Sequence, residues 1–212
     1  MSHQRARLQE RHHHVYTVYM DREPTSKRIA TAARELLDTE GVEAVTMRRV
    51  ASAVGITAMA VYRHYADRDA LLNALADEGF TELAGKLQET RLKGEIESRL
   101  RKVLDVNLDF ALARPRLFEL MFLRPRKGAR QFPHDFAAGR SPTANPFAEL
   151  MTEGIRAGVF QRVDVWEIAF ESGALIQGLV MLYLGGRVAT TEQEFRKMVH
   201  RAMERYLNGI RN

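Results

Sequence analysis

The chain has 212 residues, which is enough for one large domain or two small domains with a substantial hydrophobic core. Hydrophobic residues make up 45% and charged residues 28% of the sequence, as in globular proteins that fold in water, and a net charge of +5 weakly favours an anionic partner. The sequence contains no cysteine, which excludes a disulfide framework and a thiolate metal site.

Residues 1–23 are polar and basic, with Arg5, Arg7, Arg11 and a run of three histidines that begins at His12. This composition predicts a flexible basic arm, which is either a solvated tail or an extra contact to DNA. The histidines have no cysteine or ordered carboxylate partner, so we expect no metal site and no cofactor. The arm lacks the apolar core of a secretory signal, and the uncharged run at residues 172–184 is too short to cross a bilayer. We therefore expect a cytoplasmic protein with no membrane partner.

Start and stop signals divide residues 24–72 into three helices, and a longer helix follows them. Pro24 and Thr25 suit the start of the first helix, and Gly41 suits its end. The later signals are Thr46, Thr57 and Asp67 as helix N-caps and Gly55 as a left-handed residue at the end of the second helix. The tight turn at residues 55–57 predicts a helix-turn-helix.

The third helix of this unit has an apolar back and a mixed front. Val61 and Tyr65 share one side and are expected in the core, whereas small, aromatic and cationic side chains occupy the other side. Such a helix suits the DNA major groove, where side chains contact the edges of bases. The candidate DNA contacts are Thr57, Ala58, Met59, Ala60, Tyr62, Arg63 and His64, with Arg48 on the preceding helix. Arg63 is the strongest candidate for base contacts because a guanidinium group pairs bidentately with guanine.

Residues 28–72 resemble, without a gap, the N-terminal domain of the TetR family of transcriptional regulators. The matching residues are Gly41, Thr46, Val50, Ala51, Gly55, Ile56, Thr57, Val61, Tyr62, His64, Tyr65, Arg68, Asp69, Ala70, Leu71 and Leu72. Two positions differ from the usual pattern. Arg68 replaces a lysine and Tyr65 replaces the commoner phenylalanine, and these changes keep the charge and the aromatic ring.

The resemblance implies a set of DNA contacts. By this resemblance, bases are contacted by Ala58, Met59, Ala60 and Arg63, and phosphates by Tyr62 and His64. Thr46 and Arg68 lie at helix N-termini beside the DNA backbone. Those termini have unpaired N–H groups and a positive dipole end, which suit a phosphate. Three of these contacts have an alternative: Thr46 caps a helix with or without DNA, Tyr62 can pack, and His64 can be an ordinary surface residue.

Residues 73–212 are expected to form a helical domain for effector binding and dimerisation, so that the whole protein is all-α with nine or ten helices. Here the resemblance extends to architecture only. Apolar spacing predicts helices at residues 96–112, 115–122, 146–158, 164–184 and 191–207. Residues 123–146 are rich in Pro, Gly and Arg and are expected to form a long loop.

The helix that begins at Asp164 is apolar on nearly every side, so it needs cover on every side. We expect a second copy of the chain to supply part of that cover, with a core helix inside one chain as the alternative. The resemblance implies a four-helix dimer interface with the last helix, and the expected residues are Gly173, Ala174, Gly178, Met181, Phe195, Val199, Ala202 and Tyr206. A two-fold dimer presents two recognition helices about one DNA turn apart, or somewhat more.

The resemblance also implies a small-molecule cavity among the C-terminal helices. The expected lining is Phe110, Phe118, Met121, Phe122, Phe147, Met151, Trp166, Phe170 and Met181, although such residues are more often plain core. A ligand of this cavity is expected to be largely apolar. The basic loop residues Arg124, Arg126, Lys127 and Arg130 are expected to be solvated, with contact to an acidic ligand as the alternative.

These observations predict a DNA-binding transcriptional regulator, a repressor that binds a pseudo-palindromic operator in double-stranded DNA as a homodimer and is released by a small effector. An enzyme is the main rival class. The sequence has no Gly-rich phosphate loop, no HExxH, no G-x-S-x-G and no paired Glu-x-x-His motifs, so we expect no catalytic activity. A helical interaction module is the other rival, and steep salt dependence of DNA binding separates it from a regulator.

Overall fold

The computed structural model describes residues 24–90 and 93–212, so the expectation of a flexible arm at residues 1–23 lies outside the described residues. The described part contains ten α-helices and no β-strand, which confirms the all-α prediction. The helices are α1 (Thr25–Glu40), α2 (Met47–Val54), α3 (Ala58–Tyr62), α4 (Arg68–Glu89), α5 (Ile96–Ala113), α6 (Pro115–Phe122), α7 (His134–Ala137), α8 (Asn145–Arg156), α9 (Val165–Leu184) and α10 (Glu192–Asn208). A 3-10 turn at Val42–Ala44 joins α1 to α2.

The predicted N-caps of α2, α3 and α4 are confirmed. The side chains of Thr46, Thr57 and Asp67 each accept a hydrogen bond from the backbone N–H three residues further on, at 3.3, 3.2 and 2.7 Å. Gly55 ends α2 with φ of 73°, a left-handed conformation that glycine adopts without a Cβ clash. Helix α1 differs, because it follows Pro24 and has no side-chain cap.

The N-terminal domain (residues 24–72) packs apolar residues of α1, α2, α3 and the start of α4 into a hydrophobic core that continues into the C-terminal helices. Ile29, Ala33, Leu37, Val50, Val61 and Leu71 have no solvent exposure. Val61 therefore anchors α3, as predicted. Tyr65 is only half-buried and lies beyond the end of α3, although its N–H still donates to the Val61 carbonyl at 3.0 Å.

Helix α4 runs from the N-terminal domain into the C-terminal helices, so the expected division between residues 72 and 73 falls inside this helix. It packs against α6 at Gly79, where an added Cβ would lie 2.5 Å from the Met121 Sδ. Any larger residue at this position would require the side chains of Met121 and Leu117 to move. Beyond it, α5 packs against α6 and α8, and α9 packs against α8 and α10.

The long segment at residues 123–146 is more ordered than a plain loop. It contains the four-residue helix α7, and α8 begins at Asn145, one residue before the proline that was expected to open it. Ser141 of this segment is buried. The segment therefore forms a wall of the C-terminal domain.

Helix α9 buries only part of its surface within one chain. Its buried residues are Ile168, Ala169, Ser172 and Val180. Four large apolar side chains, Phe170, Met181, Leu182 and Leu184, are each more than 40% exposed. Among the described residues this is the one helix whose length and composition would allow it to cross a membrane, and it is mostly uncovered.

Candidate DNA interface and ligand cavity

The front of α3 is exposed as predicted from its pattern. Met59 is 66% and Tyr62 47% exposed, Thr57, Arg63 and His64 are also exposed, and Ala58 and Ala60 are half-buried. The helix is shorter than expected because it ends at Tyr62, and Arg63 occupies its C-cap. Arg63 and His64 therefore project from the end of the helix, beside the face that Met59 and Tyr62 form.

The arginines of the N-terminal domain fall into two groups. Arg48 and Arg63 are exposed, and neither has an ion pair or a side-chain hydrogen bond within the part of the chain that the structure describes. Arg28, by contrast, donates to the Val54 carbonyl at 2.8 Å, and Arg49 donates to the Glu40 carboxylate at 2.9 Å. The first group has guanidinium groups available for DNA, whereas the second group stabilises the fold.

Arg68 belongs to the second group. Its Nε donates to the Val45 carbonyl and its Nη2 to the Val42 carbonyl, both at 2.7 Å, and Nη2 lies 3.3 Å from the Glu43 carboxylate. This guanidinium holds the 3-10 turn in front of α2. At the N-terminus of α4, the backbone N–H of Arg68 can bind a DNA phosphate, whereas the Arg68 side chain is already bonded within the chain.

Two residues of this domain, Glu40 and Tyr65, have shifted pKa values. The hydrogen bond from Arg49 lowers the pKa of Glu40 and keeps this carboxylate ionised at the end of α1. Burial raises the pKa of Tyr65, and the negative charge of Glu78 adds to the shift, so its hydroxyl stays protonated.

A cavity of about 280 Å³ lies among the C-terminal helices. Five residues that were expected to line it do so, namely Phe118, Met121, Phe122, Phe147 and Phe170. Phe110 and Met151 do not, because they are buried in the core, and Trp166 and Met181 lie elsewhere on α9. The function of the cavity as an effector site stays a prediction.

The lining residues that were not anticipated from the sequence include Phe80 on α4, Phe136 on α7 and Ser172 on α9. The basic residues Arg124, Arg126 and Arg130 also line the cavity, a position that corresponds to the alternative to a solvated loop. The expectation of a solvated loop does not hold for Arg126, whose side chain is only 8% exposed. Its position depends on contacts with α4, which no local sequence signal reports.

The cavity wall contacts the N-terminal domain directly. The Arg124 Nη1 donates to the Glu43 Oε1 at 3.0 Å, and Glu43 is the residue that also meets Arg68. A second contact joins Arg116 of α6 to the Asp38 carbonyl of α1 at 3.0 Å. The first contact joins the cavity wall to the 3-10 turn before α2, and the second joins α6 to α1.

The expected dimer residues lie in three different settings. Met181 is exposed and Gly178 is half-buried on α9, whereas Gly173 and Ala174 line the cavity. Phe195 and Val199 have no exposure, and Phe195 stacks on Tyr183 with ring centroids 4.1 Å apart. These two therefore belong to the core of one chain, because α10 turns that side inward.

Ala202 and Tyr206 complete the set on α10, and both are half-buried. The Tyr206 hydroxyl donates to the Glu171 carboxylate of α9. Burial raises the pKa of Tyr206, with a further contribution from this hydrogen bond. The pair fixes α10 against α9 at the edge of the exposed apolar surface.

No metal site is apparent in residues 24–90 and 93–212, where no group of three or more His, Asp or Glu side chains is placed to hold an ion. A cationic and aromatic surface faces outward at one end, and an aromatic cavity lies inside the other.

Comparison with known proteins finds two family models that match the chain. The model for bacterial regulatory proteins of the tetR family matches residues 29–75, and the model for the tetracyclin repressor-like C-terminal domain matches residues 100–206. The uncharacterized HTH-type transcriptional regulator YvkB of Bacillus subtilis is 25% identical over 189 residues, which cover 88% of this chain and 97% of that protein.

Solved structures show the same fold. A protein of unknown function from Rhodococcus sp. RHA1 superposes with a TM-score of 0.73 at 24% identity, covering 91% of this chain and 97% of its own. A putative tetR family transcription regulator from Shewanella sp. PV-4 superposes with a TM-score of 0.64 at 14% identity, covering 90% of this chain and 100% of its own.

Proposed function

Because the chain belongs to the TetR family of DNA-binding transcriptional regulators, which are not enzymes, we propose that it acts as a homodimeric repressor whose operator binding is released by a small molecule. Its site of action is the cytoplasm, where the DNA is. The operator is a pseudo-palindrome, because each chain of a two-fold dimer contacts one half-site.

The observation that carries this proposal is the front of α3. A helix that is anchored by a fully buried Val61 presents Met59, Tyr62 and Arg63 to solvent. Arg48 on α2 and Arg63 have no competing ion pair in the described residues, so their charges are available to phosphates and bases. Ala58, Ala60 and Met59 offer only apolar contacts, such as those to thymine methyl groups, so DNA shape contributes to specificity as well.

The exposed face of α9 supports the dimer. Exposed apolar surface of this kind marks an interaction site, and Met181, Leu182 and Leu184 near the end of α9 are each more than 40% exposed, with half-buried Gly178 one turn before Met181. A Cβ at Gly178 would meet no described atom within 4 Å beyond the backbone of its own helix, so the space beside it is open to a partner helix. A second copy that covers this face brings two α3 helices to one side of the dimer.

The cavity supports release by a small ligand. Its wall includes Arg124, which contacts Glu43 in the turn before α2, so a ligand that shifts this wall also shifts the N-terminal domain. Such a shift changes the separation of the two α3 helices. Operator affinity then falls because both half-sites no longer match the dimer together.

The proposal is tested by fluorescence anisotropy with the duplex upstream of the chain's own gene and a scrambled duplex of equal length. We expect tighter binding to the upstream duplex, with log K falling linearly in log salt by roughly 0.9 per phosphate contacted. The double variant Arg48→Ala, Arg63→Ala should lose this binding, and the matched control Arg162→Ala in the C-terminal domain should keep it. Binding that is insensitive to salt, or equal on both duplexes, would instead favour a helical interaction module.

A further inference from the structure

The lining of the cavity has an unusual composition. It includes six of the ten phenylalanines of the chain, at positions 80, 118, 122, 136, 147 and 170. Among the described residues the lining also has three arginines, Arg124, Arg126 and Arg130, and no carboxylate. The cavity is thus apolar over most of its wall and positively charged at one end.

Arg126 is the most deeply buried of these cations. Its side chain is 8% exposed, and its only described carboxylate partner is Asp77 of α4, which is 64% exposed and accepts from Nη1 at 3.1 Å. The Nε of Arg126 is fully buried and has no hydrogen-bond partner among the described residues. A buried guanidinium N–H without an acceptor is costly, and no described residue supplies one to this atom.

A second cation increases this deficit of negative charge. The guanidinium carbons of Arg126 and Arg130 each lie 5.1 Å from the centroid of the Phe80 ring, so two like charges share one aromatic ring. Arg130 is partly compensated, because it donates to the Arg140 carbonyl and interacts with Asp135. Arg126 depends on the solvated Asp77 alone. An anion beside Arg126 would relieve the repulsion between the two guanidinium groups.

The lining contains one more unused polar group. Ser172 of α9 is 2% exposed, lines the cavity, and has a buried hydroxyl oxygen with no hydrogen-bond partner among the described residues. A hydroxyl can also donate to an anionic oxygen. Two elements far apart in sequence therefore each contribute a lining residue that has an unsatisfied buried polar atom.

We propose that this cavity binds an amphipathic organic anion, with its apolar body among the phenylalanines and its carboxylate or phosphate group on Arg126. The inference rests on the proposed function only in treating the cavity as the ligand site. A volume of about 280 Å³ is at the small end for ligand sites, which favours a compact molecule. The sequence predicted a largely apolar ligand. The proposed ligand keeps that apolar body and has an anionic group at one end.

A purely structural role for Arg126 is the alternative. Its cation–π contact with Phe80 and its ion pair with Asp77 would then be sufficient, and the cavity would prefer neutral molecules. Under the proposal the charge of the ligand dominates, because charge-assisted hydrogen bonds in a buried site are stronger than neutral ones. Ligands that share one carbon skeleton separate the two roles.

The test uses isothermal titration calorimetry on the full chain with octanoate, octyl phosphate and octan-1-ol, and with 3-phenylpropionate and 3-phenylpropan-1-ol. We expect at least one acid to bind with a Kd roughly 10- to 100-fold below that of its alcohol. Octanoate against octyl phosphate decides which anion is preferred. Equal Kd values for acids and alcohols, or no binding by any of the acids, would overturn the proposal.

Three variants assign the effect to Arg126. Arg126→Gln should remove the preference for acids, Arg126→Lys should keep part of it, and Lys127→Gln, an exposed neighbour in the same segment, should keep all of it. Circular dichroism and Tm show whether each variant is folded. If Arg126→Gln does not fold, the comparison of acids with alcohols on the unaltered chain still tests the proposal. An acid preference that survives in folded Arg126→Gln would contradict the role given to Arg126. Operator binding without ligand is a separate measurement, so failure here leaves the DNA-binding proposal intact.

Discussion

The Arg124 Nη1 at the edge of the ligand cavity lies 3.0 Å from the Glu43 Oε1 in the turn that precedes the helix-turn-helix. Glu43 in turn lies 3.3 Å from Arg68, which holds the carbonyls of that same turn. One carboxylate is therefore shared between a residue of the cavity wall and the residue that fixes the start of α2. Together with the 3.0 Å contact between Arg116 and the Asp38 carbonyl, it connects the cavity side of the chain to the N-terminal domain.

We expect Arg124→Gln to loosen the turn before α2 without unfolding the protein. The pair is partly solvated, with side-chain exposures of 38% and 77%, so its loss should cost less than about 1 kcal/mol. Hydrogen exchange at residues 42–46 should become about two- to five-fold faster, as expected for a loss of that size. The control is Lys127→Gln, and equal exchange in both variants would show that the contact does not support the turn.

Arg63→Ala should reduce discrimination between bases. If its guanidinium contacts a guanine edge, the operator should lose roughly 1–3 kcal/mol relative to a duplex with that base pair changed. The measurement is competition binding with a set of single-base variants of the upstream duplex. A loss of equal size on every duplex would make Arg63 a phosphate contact instead.

Arg68→Ala should lower the stability of the fold, whereas Arg48→Ala should weaken DNA binding and leave stability almost unchanged. Removing the Arg68 side chain leaves the Val42 and Val45 carbonyls without their donors. After allowance for its 34% exposure, we expect a loss of about 1–2 kcal/mol and a Tm lower by roughly 2–8 °C. Exposed Arg48 should change stability by less than about 0.5 kcal/mol while weakening DNA binding. Calorimetric scans of both variants test this, and an unchanged Tm in Arg68→Ala would refute the structural role.

Gly178→Leu should dissociate the dimer while leaving each chain folded, because an added Cβ meets no described atom within 4 Å beyond the backbone of its own helix. Gly85 on α4 has the same open surroundings and lies away from the α9 face, so Gly85→Leu is the matched control. Sedimentation should give the mass of one 24.2 kDa chain for Gly178→Leu and twice that mass for the control. Operator affinity should fall roughly 100-fold or more with the dimer. Monomers that retain full affinity would exclude α9 as the interface.

Features that depend on a few neighbouring residues could be predicted from the sequence. The caps at Thr46, Thr57 and Asp67 and the left-handed Gly55 are local, since each cap bonds to a backbone N–H three residues away. The buried position of Val61 followed from helical spacing. The fold class followed from the same signals repeated along the chain.

Features that depend on contacts between distant residues could not be predicted from the sequence. Phe195 and Val199 carry the apolar spacing of a buried helix face, but spacing does not tell whether the cover is the same chain or a second copy. Arg126 lies in a segment without periodicity and is buried by Phe80 and Asp77 of α4, more than 40 residues earlier. Arg68 matched a DNA-contact position in type, yet its guanidinium is used by carbonyls more than 20 residues before it.

The central claim is that two α3 helices in one dimer contact two half-sites of DNA. Selection of bound sequences from random duplex DNA, performed with the unaltered full chain, tests this most directly. We expect an enriched inverted repeat whose half-site centres lie about 10–10.5 bp apart, or somewhat more. A single motif without a symmetry mate, or no enrichment at all, would contradict the claim.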